Sequence, residues 1–245
     1  MEDGTAKQLG FMMLDMRNGA DTQPQKPSLS DGAYDALKAA IRNNVFAPGY
    51  QGSEQDIATQ LRMSRTPVHE AIIRLQEEGL VRVLPRRGVM VCPISPDDMR
   101  EIYGVIIALE TASSELLAEK PEDERSLIAD ELDSVNAQME AALAADDLVD
   151  WAGADERFHQ LLVERSGNGR LARMFHTIMD QSHRARMLTL RLRPKPTASV
   201  AEHRAIVGAV RQGDARTARE RAKQHRVSAR DQLLPLLSQL GMKHL

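Results

Sequence analysis

The stretch that decides the fold of the first third of the chain is SRTPVHEAIIRLQEEGLVRVLPRRGVMV, residues 64–91. Ser64, the first residue of this stretch, is suited to be the N-cap of a helix. In the residues that follow it, apolar side chains recur at helical spacing at Val68, Ile72 and Leu75. Beyond Gly79 two short β-branched runs, residues 81–84 and 89–91, flank Pro-Arg-Arg-Gly. We therefore predict a helix followed by a two-stranded β hairpin with a basic tip.

Two further helices precede this stretch. Apolar residues repeat at helical spacing over residues 31–44, and Ala-Pro-Gly-Tyr then ends the helix. Ser53 and Asp56 are spaced as an N-cap and its third-position acid, which opens a short second helix. Three helices and a hairpin predict a winged helix-turn-helix.

The remainder of the chain has only helical pattern. Breaks at Lys-Pro, Gly-Asn-Gly, Pro-Lys-Pro and Gly-Asp separate candidate helices at about 97–119, 122–145, 147–166, 169–192, 199–212 and 214–240. We predict a mainly α protein in which a winged helix-turn-helix precedes an all-α bundle. The expected domains are a flexible tail (1–27), the DNA-binding domain (28–93), a linker (94–97) and a helical effector- and metal-binding domain (98–240).

Composition excludes several classes of protein. Hydrophobic residues make up 42% and charged residues 27%, as in globular proteins, and no segment approaches the length of a membrane span. The single cysteine excludes an intrachain disulfide, and the first residues lack the pattern of a secretory signal. We expect a cytoplasmic protein with no membrane partner.

The winged helix predicts where DNA would be contacted. The N-terminal end of its third helix reaches base edges in the major groove, and Arg65 suits a guanine there, while His69 lies one turn further on. The wing tip would approach the minor groove or the backbone. The candidate DNA-binding residues are Ser64, Arg65, Thr66, His69, Gln55, Arg86, Arg87 and Gly88.

A second candidate site lies in the helical region. Asp155 and His159 share a helix face at spacing i, i+4, which is also typical of an exposed surface pair. His203 and His225 lie on two predicted helices that a tight turn joins. Two antiparallel helices connected in this way bring residues that are distant in sequence side by side, so the two histidines can meet. One carboxylate and three imidazoles suit a divalent ion such as Zn²⁺, Ni²⁺ or Mn²⁺ and leave positions open.

Residues 28–93 resemble the DNA-binding domain of the GntR family of bacterial transcription regulators, through S-R-T-P-V-x-E-A followed by R-L-x-x-E-G-L-V. Three positions depart from the pattern of that family. His69 and Gln55 stand where the family often has arginine, and Gly52 replaces a usual core leucine.

The remainder resembles the FCD ligand-binding domain of the FadR subfamily, through DLVDWAGADERFHQLLVERSGN and AEHRAIVGAVRQGDARTARERAKQH. That resemblance implies that Asp155, His159, His203 and His225 are metal ligands. The open positions of such a metal suggest that the effector is a small organic acid whose oxygens complete the coordination. Ile106 replaces an arginine that faces the effector in many FCD domains. Other candidates for the effector pocket are His183, Arg184 and Arg186, with His176 on the same helix face as His183.

These features predict a homodimeric transcription regulator, most simply a repressor. It would bind a pseudo-palindromic double-stranded operator, and an organic acid would control its affinity for that DNA. Two alternatives remain open: a metal-dependent enzyme with an accessory domain, and a regulator whose metal is purely structural.

Overall fold

The computed structural model describes residues 28–241 of the chain. The predicted flexible tail (1–27) and His244 lie outside these residues. The described part is mainly α-helical with one small sheet, as predicted. None of its helices is long and apolar enough to cross a membrane.

The first region consists of three helices and a sheet. The helices are α1 (Leu29–Arg42), α2 (Glu54–Leu61) and α3 (Arg65–Glu77), and the strands are β1 (Gln51–Gly52), β2 (Val81–Leu84) and β3 (Gly88–Val91). The strands pair antiparallel in the order β1-β3-β2, so a short first strand adds to the predicted two-stranded wing. One apolar core joins the helices to this sheet and contains Ala33, Leu37, Ile41, Phe46, Val68, Ile72, Leu75, Val89 and their buried neighbours.

Of the two serines predicted to cap α2 and α3, one forms the capping hydrogen bond. Ser53 and Asp56 form a capping box at the start of α2, as their spacing predicts. Ser64 is the N-cap residue of α3, but its side chain makes no capping hydrogen bond. Its hydroxyl therefore remains available for other partners at this exposed end of the helix.

Gly52 is accommodated by a neighbouring tyrosine. A Cβ at this position would lie 2.6 Å from the hydroxyl oxygen of Tyr50, whose ring contacts Phe46 at a centroid distance of 4.8 Å. The Tyr50 ring thus occupies the space that a larger side chain at position 52 would fill.

The second region is a bundle of helices. They are α4 (Pro96–Ala118), α5 (Glu122–Ala144), α6 (Leu148–Glu164), α7 (Gly169–Thr189), α8 (Thr197–Gln212) and α9 (Ala215–Gln239). The long helix α4 packs against α9, α7, α6 and α8, while α5 packs against α6 and α8. The inward faces of α6, α8 and α9 therefore meet in the interior of the bundle.

Candidate metal centre and DNA-contact surface

Four side chains from three helices converge inside the bundle. Asp155 and His159 come from α6, His203 from α8 and His225 from α9, and all four are buried. One ligand atom from each lies within 4.8 Å of the others. The structure therefore brings together all four residues that the sequence nominated for a metal ion.

The imidazole ε nitrogens face one another. His203 Nε2 lies 3.0 Å from His225 Nε2, which lies 3.3 Å from His159 Nε2. The Asp155 carboxylate oxygens lie 3.8 Å from the Nε2 atoms of His159 and of His203. A divalent cation would satisfy all three Nε2 atoms at once, whereas a hydrogen on one Nε2 can bridge it to only one of the other two and facing lone pairs repel.

The δ side of two imidazoles faces carboxylates. His225 Nδ1 lies 2.7 Å from Glu202 Oε2, and His159 Nδ1 lies 3.1 Å from Glu110 Oε2. The Glu202 carboxylate accepts a hydrogen bond from His225 Nδ1, which holds the proton on that nitrogen and leaves Nε2 free to bind a metal. The Glu110 carboxylate is close to His159 Nδ1 but lacks hydrogen-bond geometry. His203 is held differently, since its ring stacks on Phe158 at a centroid distance of 4.1 Å.

Electrostatics keeps these groups in the protonation state that a metal needs. Burial lowers the pKa of His159 and of His203 well below the ordinary histidine value, so both rings are neutral. Burial acts to raise the pKa of Asp155, but Arg186 and the other nearby cations outweigh it and the pKa is lowered. A carboxylate and neutral imidazoles are the ligating forms of these side chains.

A cavity of about 70 Å³ opens beside this cluster. Asp155 and His225 form part of its wall, together with the single tryptophan, Trp151. Of the three pocket candidates from the sequence, only Arg186 lines this cavity, and it also pairs with the Asp155 carboxylate. Ile106 is buried in an apolar cluster and is not among the lining residues.

His183, Arg184 and His176 lie elsewhere. His183 Nδ1 faces Glu156 Oε2 at 2.9 Å, and Arg184 donates to the carbonyl of Cys92 at 3.0 Å. His176 pairs with Glu164 at the surface. Successive side chains of an α-helix are rotated by about 100° around its axis. Arg184 and Arg186 are two residues apart, so they point to nearly opposite sides of α7.

Helix α7 also contacts the winged helix. Asp180 pairs with Lys38 at 2.6 Å and with Arg42 at 3.2 Å. Gln181 donates to the carbonyl of Glu78 at 3.0 Å, and Asn44 donates to the carbonyl of Arg184 at 3.2 Å. We call this set of contacts the α1–α7 interface.

Glu156 joins the α1–α7 interface to the metal centre. It follows Asp155 on α6, pairs with Arg42 of α1 and faces His183 of α7. Burial acts to raise its pKa, but the hydrogen bond from His183 and the nearby cations dominate and lower the pKa to about 2. Glu156 is therefore ionised and held by both neighbouring helices.

The candidate DNA-contacting residues lie at two exposed places. Ser64, Arg65, Thr66 and His69 are exposed along the start of α3, and Gln55 is exposed on α2. Arg65 Nε lies 3.2 Å from Glu54 Oε2, and His69 Nδ1 lies 2.8 Å from Glu54 Oε1. Glu54 thus holds both side chains at the surface, and a DNA phosphate would compete with it.

The wing tip has a fixed backbone. Arg86 adopts a φ of 63° and Gly88 a φ of 88°, and both lie in the left-handed region. A Cβ on Gly88 would lie 2.4 Å from the carbonyl oxygen of Gly52, so only glycine fits there. Arg86 and Arg87 are exposed beside it.

Several residues of these sites escaped the sequence analysis. Glu202 and Arg226 are sequence neighbours of His203 and His225, so adjacency was an available signal. Glu110 and the partners across the α1–α7 interface lie too far apart in sequence for any spacing argument.

Comparison with known proteins agrees with this architecture. Residues 29–91 match the bacterial regulatory proteins of the gntR family, and residues 101–228 match the FCD domain. An uncharacterised HTH-type transcriptional regulator of Agrobacterium vitis is 53% identical over 131 residues, which span 54% of this chain and 77% of that protein. The HTH-type transcriptional repressor RspR of Escherichia coli is 31% identical over 143 residues, which span 58% of this chain and 60% of that protein.

The E. coli McbR/YncC structure superposes with a TM-score of 0.73 at 19% identity, and the match covers 88% of this chain and 99% of that chain. This likeness concerns the fold. Taken with the two domain matches, the chain belongs to the gntR family of bacterial regulatory proteins and is a DNA-binding transcription regulator with an FCD domain.

Proposed function

We propose that a small organic acid, bound at a divalent metal in the helical domain, controls the affinity of this regulator for its operator. The observation that carries the proposal is the buried cluster of Asp155, His159, His203 and His225 beside a cavity. These four residues would hold the ion. The metal would supply coordination positions for oxygens of the acid.

Helix α7 offers a route from the metal centre to DNA. Arg186 pairs with the ligand residue Asp155, and Asp180, two turns earlier on α7, pairs with Lys38 of the winged helix. An acid in the cavity would compete with Asp155 for Arg186 and so bias the position of α7. We propose that this bias changes DNA affinity by about 1–3 kcal/mol, a typical coupling between two sites.

DNA contact is assigned to the exposed start of α3 and to the wing. Arg65 would contact a base edge, with Ser64, Thr66, His69 and Gln55 around it, and Arg86, Arg87 and Gly88 would approach the adjacent backbone or minor groove. We further propose a homodimer on a pseudo-palindromic operator, because two-fold symmetry sets two such surfaces on two half-sites.

The direction of regulation is proposed from a relative. The E. coli protein that shares 31% identity with this chain is named a repressor, and we propose repression here. The enzyme alternative has no remaining basis, because the family and the relatives are transcription regulators.

Titration of the protein against the DNA upstream of its own gene, followed by fluorescence anisotropy, tests this function. We expect binding that weakens steeply with salt, because arginines would replace counterions on the phosphates. Removing the metal with a chelator should change operator affinity at least about fivefold, the lower range of such couplings. If chelation lowers only the melting temperature, the metal is purely structural; absent or salt-insensitive binding contradicts the DNA contacts.

A further inference from the structure

One of the cations that line the cavity beside the candidate metal centre has no ion pair with any carboxylate in the described part of the chain. Three arginines line it, and two of them already bind carboxylates. Arg226 holds Glu110 through two hydrogen bonds, one of them from Nε at 2.7 Å, and Arg186 holds Asp155. Arg193 differs, because no carboxylate within residues 28–241 forms an ion pair with it.

The guanidinium of Arg193 is held in place by one hydroxyl. Its Nε and Nη2 donate to Thr189 Oγ1 at 3.1 and 2.8 Å, one helical turn earlier. This contact orients the planar guanidinium group of Arg193. Its Nη1 atom forms no hydrogen bond with the described residues. Arg193 is half-buried, and this burial lowers the pKa of its guanidinium. An arginine remains protonated even so.

Nearby acids do not satisfy this charge. Glu202 also lines the cavity, but its carboxylate binds His225 Nδ1 at 2.7 Å. The Asp155 carboxylate pairs with Arg186, so it attracts the Arg193 charge only at longer range. A partly desolvated guanidinium without a carboxylate is a strong site for one, because the pair forms charge-assisted and often bidentate hydrogen bonds.

The cavity wall therefore contains two kinds of group that can bind a carboxylate. Asp155 and His225 belong to the candidate metal centre, and Arg193 is a separate cation. The cavity volume of about 70 Å³ corresponds to roughly five water molecules, so any ligand that spans it is small. Ser199 and Gln232 add polar groups to the wall.

Building on the proposed function, we infer that the effector is a small dicarboxylate, with one carboxylate at the metal and the second on Arg193. Arg193 is thus a specificity-determining residue that selects dicarboxylates over monocarboxylates.

Fluorescence of Trp151, the single tryptophan and part of the cavity wall, reports binding directly. The full chain, loaded with Zn²⁺, is titrated with malonate, succinate and glutarate and with butyrate as the monocarboxylate of equal length to succinate. We expect the best dicarboxylate to bind at least about tenfold more tightly than butyrate, as one charge-assisted contact provides. Arg193→Gln should abolish this preference and leave the affinity for butyrate unchanged.

Arg191→Gln is the matched control, because Arg191 is exposed two residues away and does not line the cavity. Metal content and melting temperature of Arg193→Gln establish that the variant is folded and loaded, and Arg193→Lys should retain part of the preference. Equal affinities for dicarboxylates and butyrate, or equal losses for both in Arg193→Gln, overturn the dicarboxylate inference alone. Failure of all four acids to bind overturns the organic-acid effector itself.

Discussion

At the scale of single residues, the four side chains of the proposed metal centre are each held by neighbouring side chains. Glu202 and Glu110 face the Nδ1 atoms of His225 and His159, and Arg186 pairs with Asp155. A ligand side chain that a second side chain already orients loses less entropy when it binds an ion. Removal of a ligand or of the side chain that orients it should therefore weaken the site.

His203→Ala or His225→Ala should each lower the bound metal well below the wild-type stoichiometry, because three ligands bind a divalent ion more weakly than four. Elemental analysis of the purified variants measures this. His176→Ala is the matched control, since His176 lies at the surface and pairs with Glu164 outside the cluster. Wild-type metal content in both cluster variants would falsify the ligand assignment.

Arg65→Ala should cost about 1–3 kcal/mol in specific operator binding, because it removes a side chain from the end of α3 that we propose contacts base edges. Anisotropy titration at one fixed salt concentration provides the measurement. Arg216→Ala is a suitable control, since Arg216 is an exposed arginine of α9 that pairs with Glu220. An unchanged operator affinity in Arg65→Ala would exclude the proposed docking.

At the scale of elements, α7 connects the two regions of the molecule. One face carries Arg186 toward the metal centre, and the segment from Asp180 to Arg184 contacts the winged helix. A helix is stiff along its axis, so a displacement at one end is transmitted to the other end. This makes α7 the element whose position both sites can influence.

The Lys38–Asp180 pair should contribute a coupling free energy of about 1 kcal/mol to the free energy of unfolding. The reason is its partial burial, with side-chain exposures of 20% and 7%. A double-mutant cycle with Lys38→Met and Asp180→Asn, followed by denaturant unfolding, measures it.

The exposed pair Arg165–Glu131 is the control for this cycle. Its side chains are 48% and 45% exposed, so its coupling should be below about 0.5 kcal/mol. A Lys38–Asp180 coupling no larger than the control would mean that the α1–α7 interface contributes no specific ionic stabilisation.

At the scale of the whole molecule, burial of the histidines of the proposed metal centre predicts that the free energy of unfolding depends on pH. Two histidines are buried as neutral rings in a region surrounded by arginines, and burial holds the pKa of each well below the ordinary value. The unfolded chain exposes the same rings to water, where their pKa returns to about 6.5. Folding therefore opposes proton uptake at these two positions.

The free energy of unfolding of metal-free protein should fall as pH drops below about 6.5, because the unfolded chain then binds protons that the folded chain excludes. Each histidine contributes at most about 1.4 kcal/mol per pH unit in this range. Denaturant unfolding in the presence of a chelator, between about pH 7.5 and about pH 5.5, measures the slope. His203→Gln should show a shallower slope, and a flat wild-type profile would contradict the neutral buried rings.

The sequence by itself determined the local elements and the identity of the four clustered side chains. Helical spacing, capping residues and helix breakers act over a few residues, so α1–α9 and the hairpin were predictable to within a few positions. The motif around residues 64–91 marked the winged helix for the same reason. Asp155 and His159 were readable as one helix face, and His203 and His225 as neighbours across a tight turn.

Only the tertiary structure decided what surrounds those elements. Strand β1 is two residues long and owes its existence to pairing with β3, which no local pattern encodes. Glu110 and Arg226 are 116 positions apart, and Lys38 and Asp180 meet only because α1 and α7 pack together. Arg193 looks like any other arginine in the sequence. It becomes a candidate anion site because folding half-buries it, and none of the carboxylates in residues 28–241 forms an ion pair with it.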